Sequence, residues 1–125
     1  MVGEYTEKIN ENKIDINNKE ELIDIHKALE EYFKTNIIIT LEDKGVLAKI
    51  DNNYEIIPSI KVKALDSTGA GDIFHGAFTY FIANNYPLRE ALRLANITGA
   101  ISVTRIGSRN SIPILSEILD YDKTI

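Results

Sequence analysis

The chain has 125 residues, 44% apolar and 26% charged, and its 14 basic and 19 acidic residues leave a net charge of −5. This predicts one globular domain, and the acidic balance argues against a nucleic-acid partner, which needs a basic face. With no cysteine, disulfides, thiolate nucleophiles, iron–sulfur clusters and cysteine-based zinc sites are excluded.

His26 and His75 are the two histidines, too few for a His-rich metal centre. The opening residues are strewn with Glu, Lys and Asn, which argues against a signal peptide. No apolar run approaches the roughly 18–20 residues of a membrane span. A soluble, cytoplasmic protein with no membrane partner is therefore expected.

Residues 1–18 show no clear period and read as an irregular lead-in. Asn18 lies three residues before Glu21, the spacing of a capping box. Leu22, Ile25, Leu29 and Phe33 follow at helical spacing, predicting an amphipathic helix over 19–34 with His26 at its surface or boundary. Ile37 to Leu41 is a short β-branched run without alternation, as in a parallel strand covered on both faces. Val46–Ile50, a turn at Asp51-Asn52-Asn53, and Tyr54–Ile57 predict a hairpin. Ile60, Val62 and Ala64 alternate with Lys61 and Lys63, suggesting one more half-exposed strand.

Phe74, Ala77, Phe78, Phe81 and Ile82 recur at i, i+3, i+4, i+7 and i+8 and predict a helix with a buried face. Pro87 marks the next helix start, with Leu88, Leu92, Ala95, Gly99, Ala100 and Val103 as its inner stripe. A loop from Arg105 to Ile112 leads to Pro113 and a short helix near 114–121.

The chemistry concentrates where Gly69-Ala70-Gly71 opens directly into a helix. Small residues let backbone approach a ligand, and the first-turn N–H groups of a helix lack intrahelical acceptors, so this is a place for an anion. It has no Gly-Lys-Ser/Thr of a P-loop, and Phe74 stands where the dinucleotide fingerprint needs a third small residue. Asp72 has two readings. It is either an acid favoured at a helix start by the dipole, or a general base beside an anion hole.

Asp66-Ser67-Thr68-Gly69-Ala70-Gly71-Asp72, followed by Phe74, Gly76 and Ala77, resembles the second signature of the PfkB, or ribokinase-like, carbohydrate kinases. Ile38-Ile39-Thr40-Leu41 ending in Gly45 is similar to the family's strand and loop along ATP, and Asn96 through Gly107 to its adenine-side helix and loop. The resemblance covers roughly residues 1–121 and reads the chain, 1–125, as the C-terminal ATP-binding and catalytic part of such a kinase. Sugar-binding residues lie in the family's N-terminal part, so the sugar stays open.

The resemblance implies an α/β ribokinase-like fold, a central sheet flanked by helices with ATP across the strand ends. It implies ATP-dependent phosphorylation of a small sugar's hydroxyl, with Asp72 as base and Gly69, Ala70 and Gly71 as anion hole. Thr40, Leu41, Gly45, Gly71, Asp72 and Asn96 would meet the nucleotide. A monovalent cation, usually K+, would take oxygens from the side chains of Asp66 and Ser111 and the carbonyls of Thr68, Ser102, Arg105 and Gly107. Mg2+ would arrive with ATP. Glu4 and Glu7 could align with the family's Asn-x-x-Glu motif, and Glu42 stands where the family commonly has Gly. His75 is expected on a helix surface, while Arg105 and Arg109 are either phosphate-neutralising or solvated charges. The rival expectation is an incomplete ATP-binding module that folds, or forms a homo-oligomer through an exposed sheet edge, without turnover.

Overall fold

The computed structural model describes residues 17–41, 44–65, 69–105 and 113–124. In chain order they form α1 (Lys19–Phe33), β1 (Ile38–Thr40), β2 (Val46–Ile50), β3 (Asn53–Ile57), α2 (Ala70–Ala83), α3 (Leu88–Val103) and α4 (Leu115–Asp122). Two compact units divide the chain, Met1–Ile56 and Ile57–Ile125.

In the first unit, α1 begins as its cap dictates: the Glu21 N–H donates to Asn18 Oδ1 at 3.1 Å. It ends at Lys34, left-handed at φ 56°, whose N–H reaches back to the Glu30 carbonyl. Leu22 packs with Leu41 and Leu47, joined by the half-buried Ile39, Tyr54 and Ile56. Phe33, grouped with the apolar face by spacing, is exposed at the helix end.

His26 is a correction to the surface expectation, for it is fully buried. It sits one turn after Leu22, and so on the apolar face. Its Nε2 lies 2.7 Å from the Ile37 carbonyl, and its ring stands edge-on to Tyr54. These contacts absorb much of the polarity that argued for a boundary position.

The sheet order is β1-β2-β3. β1 runs antiparallel to β2, with Ile38 opposite Ala48 and Thr40 opposite Val46, and its residues are half-buried or exposed. The parallel, doubly covered strand is thus corrected. A parallel partner needs a crossover of a dozen or more residues, whereas residues 41–45 join β1 directly to β2. The β-branched run reports a strand but not the direction of its neighbour. Asp51 and Asn52, at φ 51° and 67°, form the two-residue turn between β2 and β3, as a type I′ hairpin requires. Asn53 opens β3 rather than closing the turn.

The second unit is helical. The strand expected near 60–64 is not formed, since residues 58–64 have no regular structure. No described strand lies beside them to take their backbone groups, and Pro58 has no N–H to give. Phe81, Ala91, Leu94, Ile97, Ile101 and Ile118 make the core, with α2 and α4 both packed on α3. The expected buried face of α2 is only partly covered. Phe81 is buried, Ala77 and Phe78 are half-buried against the core, Phe74 stacks on Phe78, and Ile82 is exposed. The described elements packed on α2 cover a narrower arc than its apolar stripe spans.

Asn85, left-handed at φ 64°, closes α2, and the Tyr86 N–H returns to the Phe81 carbonyl. Pro87 then precedes α3, which is buried on more than its predicted stripe. Leu92, Ala95 and Ala100 are buried as expected, and so are Ala91, Leu94, Ile97 and Ile101 on the other side. Arg93 joins α3 to α4, bonded to Glu90 at 2.7 Å and to Asp122. That guanidinium holds the Asp122 carboxyl below the usual carboxylate range.

Phe81 is the largest side chain of the helical core. Phe81→Ala is expected to cost about 3–5 kcal/mol, read by urea unfolding followed on α3 amides. A loss below about 1 kcal/mol would mean that α2 is not held through this side chain.

Candidate anion-binding and catalytic site

Gly69 caps α2 in the left-handed region at φ 74°, with no side-chain cap. The Ile73 N–H donates to its carbonyl at 3.0 Å. The N–H groups of Ala70, Gly71 and Asp72, one turn earlier, have no acceptor within the helix. They carry the positive end of the dipole of a 14-residue helix. Gly71 is exposed, and a Cβ built on it meets nothing within 4 Å.

Asp72 follows these amides with an exposed side chain. It stands at the edge of a cavity of about 610 Å³ that Gly76, Tyr80, Thr98, Ile114 and Ile118 also line. No cluster of three His, Asp or Glu side chains able to hold a metal occurs among the described residues.

The end of α3 approaches the entry to this loop, because the Leu65 N–H donates to the Val103 carbonyl at 2.6 Å. Ser102 is buried, and its carbonyl accepts the Arg105 N–H at 3.1 Å. A carbonyl has a second lone pair, so the Ser102 carbonyl can take a further partner. Asp66, Thr68, Gly107 and Ser111 lie outside the described residues, as do Glu4, Glu7, Glu42 and Arg109.

Asn96 is buried on α3, where its Nδ2 donates to the carbonyls of Pro58 at 3.1 Å and Ile57 at 3.4 Å. Its amide N–H groups thus serve the chain leaving β3. Thr40, Leu41 and Gly45 belong to the first unit. The Leu41 N–H donates to the Gly45 carbonyl at 2.8 Å, Gly45 takes φ 107°, and the Leu41 side chain is buried. His75 is exposed on α2, as the sequence predicts.

The Arg105 guanidinium pairs with Glu117 on α4. Glu117 was absent from the sequence-derived candidates, although it lies three residues after Ile114 at a capping-box spacing. The Ile114 N–H donates to its Oε1 at 3.2 Å. Arg105 first, and then this N–H, hold the Glu117 carboxyl below the usual carboxylate range.

The sequence model of the pfkB family carbohydrate kinases matches residues 6–115. The chain belongs to this family. It is 37% identical over 94 residues to a ribokinase of Lactococcus lactis, which covers 73% of this chain and 31% of that one. The described fold is a partial ribokinase-like one. Ribokinase from Thermotoga maritima matches with a TM-score of 0.70 and 39% identity, over 79% of this chain and 34% of that one. A putative ribokinase II from E. coli, in complex with ATP and Mg2+, matches at 0.72 with 27% identity, over 81% and 34%. Ribokinase from Arabidopsis thaliana, complexed with ribose and ATP, matches at 0.68 with 26% identity, over 77% and 32%. The chain spans less than half the length of each of these relatives. No helix among the described residues is long and apolar enough to cross a membrane.

The two glycines of the loop separate experimentally. Gly69→Ala forces a side chain into the left-handed region and is expected to cost about 1–2 kcal/mol. Gly71→Ala, at a helical position with open space, is expected to leave stability unchanged or raise it by up to about 1 kcal/mol. Chemical unfolding of both variants checks the order, and the reverse order would contradict the described backbone.

Proposed function

We propose that this chain supplies the phosphate-binding and base-bearing part of a pfkB-type sugar kinase. The observation that carries the reading is local: three first-turn amides of α2 have no acceptor within the helix and no side-chain cap, and the exposed carboxylate of Asp72 is the side chain of the third. In this reading Asp72 accepts the proton of a sugar hydroxyl as its oxygen attacks the γ-phosphorus of ATP. The amides of Ala70, Gly71 and Asp72 then stabilise the charge on the phosphoryl group in flight. ADP leaves, and the proton stays on Asp72 until solvent takes it.

Thr40, Leu41, Gly45 and Asn96 are proposed to line the nucleotide, and ribose, the sugar held by the Arabidopsis relative, is the first substrate to test. Mg2+ would come with ATP, mostly on phosphate and water, and neutralise phosphate charge. A monovalent cation would be held by Asp66, Ser111 and the carbonyls of Thr68, Ser102, Arg105 and Gly107, and would steady the anion hole from behind. A second reading, nucleotide binding without turnover by this chain alone, is favoured by the 31% of the Lactococcus relative that it spans. Sugar-dependent ADP release by the purified chain separates the two.

The decisive variant is Asp72→Asn, which keeps the shape and removes the proton acceptor. Turnover with ribose, in the chain or in the kinase that contains it, is expected to fall by about 10²–10⁴, with ATP affinity unchanged or slightly tighter. Preserved turnover with lost nucleotide binding would make Asp72 a structural acid.

A further inference from the structure

His26 is a polar side chain set fully inside the apolar face of α1. Its Nε2 lies 2.7 Å from the carbonyl of Ile37, eleven residues on and one before β1. A carbonyl only accepts, so at that distance the ring donates and the proton sits on Nε2. Its Nδ1 is buried and meets no hydrogen-bond partner among the described residues. An apolar side chain would fill the same place without stranding a nitrogen, a loss that counts against the histidine. What the histidine adds is one directed contact, from α1 to the residue that leads into β1.

That contact completes a pair. Leu22, one turn earlier on α1, packs with Leu41 just after β1, so α1 holds both ends of 37–41. Apolar packing at Leu41 has no direction, whereas the Nε2–H at Ile37 does. Other anchors are few. β1 has three residues, each half-buried or exposed, and in the described sheet it lies beside β2 alone. The loop to β2 hangs on its far end, for the Leu41 N–H donates to the Gly45 carbonyl at 2.8 Å and the Leu41 carbonyl takes the Lys44 N–H at 3.0 Å. A shift of 37–41 against α1 therefore carries Thr40, Leu41 and Gly45 with it.

We propose that His26 is a positioning residue: its bond to the Ile37 carbonyl fixes β1 against α1 and so sets where Thr40, Leu41 and Gly45 meet a nucleotide. The nucleotide rests on the function proposed above, whereas the hold on β1 does not.

The test compares the whole chain with His26→Leu, His26→Asn and His26→Gln. Leu has no donor, Asn has an amide too short to reach Ile37, and Gln carries one about as far out as Nε2. The Asn and Gln pair differs chiefly in reach, so it answers the question if His26→Leu fails to fold. Hydrogen–deuterium exchange without ligands reads the hold on β1. The Leu41 amide is expected to exchange roughly five-fold faster in the Leu and Asn variants, the scale of one hydrogen bond. It should return toward the parent rate in His26→Gln, while central α1 amides stay unchanged in all four chains. Equal Leu41 rates throughout, acceleration spread evenly over α1 and β2, or a Gln variant as fast as the Leu variant would overturn the proposal. Nitrogen NMR of the parent chain reads the tautomer directly, with the exposed His75 as its contrast. The His26 proton is expected on Nε2, and a proton on Nδ1 alone would overturn the bond.

Calorimetry of MgATP binding gives the functional arm. The dissociation constant should rise roughly five-fold in the Leu and Asn variants and stay near the parent value in His26→Gln. Unchanged affinity beside accelerated exchange would overturn the link from His26 to the nucleotide. A parent chain that binds no MgATP would instead overturn the nucleotide reading of Thr40, Leu41 and Gly45, and exchange and tautomer then decide the hold on β1.

Discussion

A helix enclosed on nearly every side can carry polar side chains only where each brings its own partner, and the second unit is organised around how α3 meets that condition. Thr98 turns its hydroxyl back to the Leu94 carbonyl at 2.8 Å. Asn96 spends its amide N–H groups on the carbonyls of Ile57 and Pro58. Burying that amide without partners would cost about 1–3 kcal/mol, so the chain leaving β3 is pinned against α3. Two turns further along, Val103 takes the Leu65 N–H. The segment 58–65 is therefore tied at both ends to one helix, across a rise of about 10 Å. Fully extended it would reach more than twice that distance, so it runs slack. That geometry delivers the chain to Gly69 and leaves no straight strand on the way.

The features read correctly from sequence are those whose cause is local. Asn18 three residues before Glu21 caps α1 because the contact lies within one turn of chain. Asp51-Asn52 makes the hairpin because both residues tolerate positive φ. The α2 start at Gly69-Ala70-Gly71 is equally local, and so the beginning of that helix was legible before any fold was known. The Asp66–Asp72 signature carried the family as well.

The misread features depend on neighbours that spacing does not name. Ile38–Thr40 is a strand in either direction, and only the short path to Val46 makes it antiparallel. Alternation over Ile60–Ala64 gives one face of a strand, but no described strand lies beside it. The period of Phe74 to Ile82 marks an apolar face, and the described neighbours cover only part of it. His26 looked polar by type, yet it stands one turn after Leu22 and its Nε2 meets the Ile37 carbonyl. Glu117 escaped notice because the partner of its ion pair, Arg105, lies twelve residues away.

The same distinction divides the glycines of the signature. Gly69 is required by its own backbone: at φ 74° a side chain is strained however much room surrounds it. Gly71 has an ordinary helical backbone and open space around a built Cβ, so nothing among the described residues demands it. A glycine that the described fold does not require, on the exposed first turn between two amides with no acceptor in the helix, is what the anion-hole proposal expects there. An anion drawn to those amides approaches where a Cβ would stand. Within the proposed function, Gly71 is thus the more telling test position than Asp72, which a helix N-terminus favours in any case.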